Sequence, residues 1–251
     1  MPADDGAGGG RKKRREVGEK RGAVVTLEFD AERHEYRLDG RKIPSVTQIL
    51  PGWRKVKFTG SEFFANEKTG HAVSAETLTL AGDVGTAAHK AMLAMAVGCN
   101  PVWDAFGDED QQQRYTNVLA GLGQFFEEHS PKPEYCESRV WSRLGYAGTL
   151  DLVCTIGKRL YLLDLKTGAH EYVGPQTRAY ETAWREQTKA RATLTRAVLY
   201  VPKDGKPYQL KELRDDATDE GYFRARLALL AYNNLLGEGD NYDHAGTHEF
   251  D

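Results

Sequence analysis

Two aspartates and a lysine lie inside strands that otherwise suit a buried sheet, and this feature restricts the fold more than any other. Residues 145–168 read GYAGTLDLVCTIGKRLYLLDLKTG. Leucine, valine and tyrosine side chains surround Asp151, Asp164 and Lys166, which indicates the middle of a sheet covered on at least one side. Charged groups in such a place require partners. The fold must therefore bring compensating groups to these acids.

The turn between the two strands fixes how they pair. Residues 157–158 are Gly-Lys, a two-residue Gly-X loop typical of a tight hairpin with a type II′ turn. This turn pairs Ile156 with Arg159, and the same register places Asp151 opposite Asp164. The sequence therefore predicts that the two aspartates face each other, with Cβ atoms about 5 Å apart.

The preceding turn predicts a third carboxylate in the same row. Residues 143–145 are Arg-Leu-Gly, a three-residue hairpin form with glycine at the left-handed position. Pairing Ser142 with Tyr146 places Glu137 opposite Asp151, within the one-residue offset that a bulge introduces. Three carboxylates then lie side by side across three strands.

Adjacent anions in a covered sheet repel one another, and burial with like charge raises the pKa of a carboxyl group. Lys166 points to the same face as Asp164 because strand side chains repeat with period two, so it neutralises one charge. A divalent cation neutralises two, and carboxylate oxygens are the ligands that Mg²⁺ and Mn²⁺ prefer. The alternative is a buried ion-pair network without catalysis, which is rarely favourable.

The length of 251 residues predicts a single domain with two tails. Residues 1–22 are rich in glycine and charge and are expected to be disordered. Three interpretations are open for their basic run at residues 11–15, RKKRR: a segment that binds phosphates, a nuclear localisation signal or a solvated tail. Residues 23–237 form the predicted domain, and residues 238–251 form a polar, acidic tail.

The pattern along the domain predicts an α/β fold in which helices precede and follow a central sheet. An N-terminal hairpin, VVTLEFD with HEYRLDG, is followed by a short helix capped by Ser45 and by a helix with Asp83 as its N-cap. The remaining predicted elements are a helix at 111–129, strands within 134–142, 145–156 and 159–167, a helix near 175–190, strands within 195–202 and 207–213, and a helix at 219–236.

Composition excludes several classes of protein. Hydrophobic residues make up 40% and charged residues 28%, and no apolar run approaches the roughly 18 residues of a membrane span. The N-terminus lacks the apolar segment of a secretory signal, so a reducing compartment, the cytoplasm, is expected.

Cys99, Cys136 and Cys154 fit neither a disulfide framework nor a zinc site and are predicted to be free thiols, with Cys154 in the core. The formal charge of −3 does not indicate a nucleic-acid binder, but a carboxylate site lowers the total without removing a basic track.

The residues described so far resemble a known family. GTLDLV, a short turn and LLDLKTG are similar to the metal site of the PD-(D/E)XK nucleases, with Asp151, Asp164 and Lys166 as its two acids and its lysine. The resemblance spans roughly residues 34–201, where HEYRLDGRKIPSVTQIL is similar to the lead-in segment of phage-type exonucleases and, more loosely, of mitochondrial genome maintenance exonucleases. It implies a restriction-endonuclease-like core, a central mixed sheet flanked by helices.

Four further residues resemble the RecB-like branch of that family. His89 lies in GTAAH on a helix before the sheet, Glu137 is the acid of the preceding strand, and Gln176 and Tyr180 lie in QTRAY on the helix after it. No iron–sulfur cluster is expected, because three cysteines with this spacing cannot supply four ligands. A Walker A sequence is also absent from the chain, so a nuclease without its own motor is implied.

The resemblance implies a site for one or two Mg²⁺ or Mn²⁺ ions. Asp151, Asp164, the backbone carbonyl of Leu165 and His89 are the expected ligands, and Glu137 is expected to bind a second ion or its waters. Histidine favours Mn²⁺ more than an all-oxygen shell does. Lys166 is expected to orient the attacking water and to balance charge in the transition state.

The helix after the sheet carries the expected contacts to DNA. Gln176 and Tyr180 are four residues apart, hence on one face, and are expected against the scissile or adjacent phosphate. Trp184 continues this stripe and offers a stacking surface for an unpaired base, although a core-packing stripe is the alternative for both aromatic residues. Arg178 and Arg185 are candidates for a backbone track, but exposed helix cations often do nothing specific.

Together these features predict a metal-dependent DNA exonuclease of phage or bacterial origin. We expect it to act on single-stranded DNA or duplex ends during recombination or DNA processing, with a single-strand annealing or binding protein as a potential partner. A structure-specific endonuclease on the same core, a catalytically silent DNA-binding protein and an RNase are the alternatives.

Overall fold

A computed structural model describes residues 25–31, 33–50, 53–58, 61–66, 72–101, 106, 108–168 and 170–235. Between residues 53 and 81 it describes the backbone alone. The predicted tails at 1–22 and 238–251 lie outside the described residues.

A mixed sheet of five strands forms the centre of the fold. Its strands are β7 (Lys132–Ser142), β8 (Tyr146–Ile156), β9 (Arg159–Lys166), β10 (Leu194–Tyr200) and β11 (Gln209–Glu212). They lie in the order β11-β10-β9-β8-β7, with β9 and β10 parallel and the other neighbours antiparallel. The helices are α1 (Val46–Ile49), α2 (Ala75–Ala96), α3 (Glu109–His129), α4 (Val173–Thr188) and α5 (Asp216–Leu235).

Two small antiparallel sheets of three strands precede this core. The first contains β1 (Leu27–Asp30), β2 (Glu35–Leu38) and β3 (Arg41–Ile43), and the second contains β4 (Trp53–Phe58), β5 (Ser61–Asn66) and β6 (Ala72–Ser74). The β1–β2 hairpin confirms the predicted one. No prediction covered the second sheet.

Helices cover both faces of the central sheet and create two apolar clusters. One cluster packs α2 and α3 against the sheet and includes Ala88, Met92, Leu122, Phe125, Leu152, Leu163 and Leu165. The other packs α1, α4 and α5 against the opposite face and includes Val46, Leu150, Val153, Leu162, Ala183, Trp184 and Phe223. The predicted α/β class, with a central mixed sheet flanked by helices, is therefore confirmed.

Local signals succeeded at one helix start and failed at another. Ser45 caps α1 as predicted: its Oγ accepts a hydrogen bond from Gln48 N at 3.2 Å, and Gln48 Oε1 accepts one from Ser45 N at 2.8 Å. The prediction that Asp83 caps a helix is wrong, because α2 begins at Ala75 and Asp83 lies within it. The first residues of α2 show little helical periodicity of apolar side chains, so the internal Asp83 resembled an N-cap in the sequence.

The three cysteines are free, as predicted, and Cys154 is buried. None of the helices in the described ranges combines the length and apolar character needed to cross a bilayer.

A buried arginine joins β10 to the two helices on one face of the sheet. Arg196 donates to the carbonyl of Gly174 at 2.7 Å and to Thr177 Oγ1 at 3.1 Å in α4. It also contacts Asp216 at 2.5 Å and Asp219 at 2.8 Å in α5. Its side chain is 1% exposed, so the guanidinium is shielded from water, whereas Asp216 is 57% exposed. This network fixes the start of α4, the helix that carries Tyr180.

We predict that Arg196→Ala lowers the free energy of unfolding by about 3–5 kcal/mol, because it leaves buried acceptors without a donor. Urea denaturation measures the loss. Arg159→Ala is the matched control: this exposed arginine pairs with Glu212 at 2.6 Å, and its removal is expected to cost at most about 1 kcal/mol. Equal losses in the two variants would contradict the role assigned to Arg196.

Candidate metal centre

The turn between β8 and β9 sets the predicted register. Opposed pairs run from Ile156–Arg159 to Leu152–Leu163. Gly157 occupies the turn with φ of +60°. This pairing makes Asp151 and Asp164 the next opposed residues, one position beyond the last ladder pair. The two aspartates therefore lie where β8 and β9 stop exchanging regular hydrogen bonds.

The register between β7 and β8 is also as predicted near the site. Ser138 pairs with Leu150 and Cys136 with Leu152, so Glu137 falls opposite Asp151. Glu137 has φ of +39°, a left-handed conformation that is uncommon for residues other than glycine. It is exposed, and none of the described contacts joins it to either aspartate. The structure thus places Glu137 beside the row without bringing it into contact.

The alternation of side chains along β8 breaks at Asp151. Leu150 belongs to the cluster on the α4 side, whereas Leu152 belongs to the cluster on the α2 side. Period two would place both leucines on one face. The break lets Asp151, which contacts His89 of α2, and Leu152 both face α2 while Leu150 faces α4. It was not predicted from the sequence.

Asp151 contacts both its neighbouring strand and α2. Its Oδ2 accepts a hydrogen bond from the N–H of Leu165 at 2.8 Å, and its Oδ1 lies 3.3 Å from Nδ1 of His89. Burial opposes ionisation of Asp151, but the charge and hydrogen bond of His89 outweigh it and lower the pKa of the carboxyl group. Burial likewise opposes protonation of His89, and Asp151 raises the pKa of the ring overall. The predicted placement of His89 beside this acid is thus present.

Asp164 is the most deeply buried charged group of the site. Its side chain is 2% exposed, and Oδ2 lies 2.6 Å from the ammonium of Lys166. Neither carboxylate oxygen receives a hydrogen bond of normal geometry from the described part of the chain. Burial and the charge of Asp151 raise the pKa of Asp164 to about 6, although Lys166 opposes this. The carboxylate is therefore incompletely compensated by the protein.

The backbone of Leu165 also faces the aspartates. The carbonyl of Lys166 accepts a hydrogen bond from Val201 N at 2.8 Å and so points toward β10. Successive carbonyls of a strand point in opposite directions, and the N–H and C=O of one residue point to the same neighbour. The carbonyl of Leu165 therefore faces β8, on the side where its N–H meets Asp151.

Helix α4 brings Tyr180 and Gln176 to the same end of the sheet. Gln176 Nε2 donates to the hydroxyl of Tyr180 at 3.2 Å, and both residues are almost fully buried. Burial and the charges of Asp164 and Asp151 raise the pKa of Tyr180 well above its ordinary value. Gly148 allows the close approach, because a Cβ there would lie 2.5 Å from Cε1 of Tyr180.

The carboxylate and carbonyl oxygens gathered at this site are ligands of the kind that a hard divalent cation prefers. Carboxylate oxygens of Asp151 and Asp164 and the carbonyl of Leu165 are oxygen ligands of the preferred kind, and neither oxygen of Asp164 is hydrogen-bonded with normal geometry by the described residues. Within the described ranges, no group of three or more histidine, cysteine, aspartate or glutamate side chains converges as metal ligands do. A bound ion would therefore replace Lys166 on Asp164 and loosen His89 from Asp151.

The structure corrects three predicted DNA contacts on α4. Trp184 is 3% exposed and packs in the core, in contact with Tyr135, so its prediction as a stacking surface is wrong. Arg178 and Arg185 were predicted to hold backbone phosphates, but protein acceptors already occupy their guanidinium groups. Those acceptors are Glu181 and Glu220 for Arg178, and Glu181 with the carbonyls of Ala190 and Ala192 for Arg185.

The sequence analysis missed His170. It is exposed overall, but burial of the ring against neighbouring atoms and the charges of Lys166 and His89 lower its pKa to about 4. The charges of Lys166 and His89 both act on it, so it lies near the site. Its position four residues after Lys166 was the available signal.

A scan of protein-family models finds no match to this sequence, and a search of curated proteins finds none either.

We predict that Asp164→Asn becomes more stable relative to the wild type as pH rises, in buffers containing EDTA. The folded pKa of about 6 exceeds the ordinary 3.8, so the folded state binds this proton more tightly. The resulting stabilisation is complete below pH 3.8 and is lost as pH rises through 6. The asparagine variant avoids the loss.

Urea denaturation at pH 4 and pH 8 measures the effect. The difference in unfolding free energy is expected to move by about 2 kcal/mol in favour of the variant between these pH values, since each tenfold change in proton affinity is worth about 1.4 kcal/mol and the unfolded carboxyl is already partly ionised at pH 4. Glu212→Gln, on the far edge strand, is the control for sign: Arg159 lowers the pKa of Glu212, so this difference is expected to move against the variant as pH rises. A pH-independent difference for Asp164→Asn would show that Asp164 is already compensated in the fold.

Proposed function

We propose that this chain is a metal-dependent deoxyribonuclease that hydrolyses phosphodiester bonds. The observation that carries the proposal is the buried carboxylate of Asp164, which lies beside Asp151, contacts Lys166 and receives no hydrogen bond of normal geometry from the described residues. A protein rarely retains such a cluster in its core without a function, because burying it costs free energy. The combination of two acids and a lysine suits phosphodiester hydrolysis.

Asp151, Asp164 and the carbonyl of Leu165 would hold a Mg²⁺ or Mn²⁺ ion, with His89 as a further ligand. When bound, the ion supplies charge relief on the phosphate and a lowered pKa for a water molecule. Glu137 is exposed at the edge of the row and is open to a second ion or its waters.

Lys166 has the position of a residue that orients the attacking water. Its side chain is 11% exposed, so the ammonium is largely shielded but reachable from the solvent side. Released from Asp164, it can donate hydrogen bonds to a water and to a phosphate oxygen. Charge that develops on the phosphate is then met by a fixed cation in a site of low dielectric constant.

Tyr180 and Gln176 would act on the phosphate as hydrogen-bond donors. The raised pKa of Tyr180 keeps its hydroxyl protonated at neutral pH, so it can donate but does not add a negative charge. Gln176 fixes the orientation of that hydroxyl. Both side chains are buried, so they present a small, defined polar surface.

The finer parts of the proposal rest on the family resemblance. Exonuclease action, DNA as substrate, preference for single strands or duplex ends, and a role in recombination or DNA processing with a single-strand annealing or binding partner all come from it. The same resemblance favours cleavage that leaves 5′-phosphate products.

We predict that Asp164→Asn and Lys166→Ala each cleave end-labelled DNA at no more than about one hundredth of the wild-type rate, because both changes remove groups that act in the transition state. Cleavage by the wild type is expected with Mg²⁺ or Mn²⁺ and is lost in EDTA. Lys158→Ala, at the opposite end of the β8–β9 hairpin, should cleave at the wild-type rate.

Closed circular and linear single strands distinguish the type of nuclease, since an exonuclease leaves circles intact. Matched RNA and DNA strands test the sugar preference. Wild-type protein that binds DNA but shows no metal-dependent cleavage would contradict the enzyme proposal and support a structural ion-pair network at the site.

A further inference from the structure

Substrate phosphates need a cationic contact outside the carboxylate row, and α4 does not provide it. The guanidinium groups of Arg178 and Arg185 are engaged by protein carboxylates and carbonyls. Releasing either one would remove an ion pair from buried Glu181, which is unfavourable. The contact must come from another element near the acids.

Arg139 of β7 lies beside Asp151, on the face of the sheet where that acid meets His89. It pairs with Thr149, two residues from the position where Glu137 opposes Asp151. Val140 and Leu150 point into the α4-side cluster, so Arg139 and Thr149 point to the other face, where Asp151 meets His89. Two residues along a strand correspond to about 7 Å, which places Arg139 one step beyond the acids.

The guanidinium of Arg139 is exposed and keeps its charge available. No carboxylate in the described ranges lies within ion-pair distance of it. Its Cζ lies instead 5.0 Å from the centroid of the Phe29 ring in β1. A cation–π contact orients an arginine without neutralising it, and the hydrogen-bonding edge of the guanidinium remains open to a phosphate.

The hairpin that supplies Phe29 is anchored to the sheet at Thr149, the residue that pairs with Arg139. Tyr36 of β2 is buried, its ring lies 4.6 Å from that of Phe29, and its hydroxyl is 2.8 Å from Oγ1 of Thr149. The Tyr36–Thr149 hydrogen bond and the packing of Tyr36 on Phe29 hold the Phe29 ring in place, and this ring in turn orients Arg139.

We propose that Arg139, presented by Phe29, binds the backbone phosphate adjacent to the scissile one in a nucleic-acid substrate. This inference rests on the proposed nuclease function and identifies the backbone contact that α4 lacks. Glu137, two residues away on the same strand, is the nearest opposing charge along the chain. Arginine suits the task because its planar group can bind two phosphate oxygens at once.

The test measures binding of a labelled oligothymidylate by fluorescence anisotropy as a function of salt. All proteins carry Asp164→Asn and are assayed in EDTA, so that neither cleavage nor metal enters. Arg139→Ala is expected to weaken binding about tenfold at low salt. It should also lower the slope of log K against log salt by about 0.7, the value for one phosphate contact on a single strand.

Three companion variants make the result specific. Arg139→Lys should keep the salt slope, Phe29→Ala should keep the slope but weaken binding severalfold, and Lys158→Ala should leave both unchanged. An unchanged slope in Arg139→Ala, or an equal change in Lys158→Ala, would overturn this inference while leaving the cleavage experiments intact. A parent protein that binds no nucleic acid, with cleavage also absent in the wild type, would overturn the proposed function as well.

Discussion

The burial of Asp164 beside Lys166 is the constraint on which the account of this protein depends. The carboxylate lies within an apolar sheet beside the ammonium of Lys166, and the described part of the chain gives neither oxygen a hydrogen bond of normal geometry. The charge of Asp151 adds to the cost and raises the pKa of Asp164. A fold stabilised mainly by its apolar clusters tolerates this site, but the site contributes little to that stability.

The architecture creates the site by ending regular pairing at one place. The ladder between β8 and β9 stops before the aspartates, alternation along β8 breaks at Asp151, and Glu137 adopts a left-handed backbone. Helix α2 then brings His89 from one face, while α4 brings Tyr180, whose close packing requires Gly148. The buried network of Arg196 holds α4 against the sheet, so an ion-pair network outside the carboxylate row helps to determine how Tyr180 is placed.

Turn chemistry made the strand registers predictable from the sequence. The Gly-Lys and Arg-Leu-Gly turns set both registers, and these alone place Asp151, Asp164 and Glu137 in one row. The exposure of the α4 side chains was not predictable, because a stripe at helical spacing looks the same whether it faces the core or a ligand. Trp184 therefore proved to be a core residue, and Arg178 and Arg185 proved to be paired with acids brought close only by the fold. The contact of Arg139 with Phe29 joins residues more than a hundred positions apart and left no local signal.

Crystallography of the protein soaked with Mn²⁺, using the anomalous signal of manganese, tests the central claim most directly. The account predicts a peak bound by carboxylate oxygens of both Asp151 and Asp164, at distances near the roughly 2.1 Å typical of Mg²⁺–oxygen contacts, with Lys166 displaced from Asp164. An absence of manganese at saturating concentration, with the Lys166–Asp164 and His89–Asp151 contacts intact, would contradict it. The charges would then form a self-contained ion-pair network.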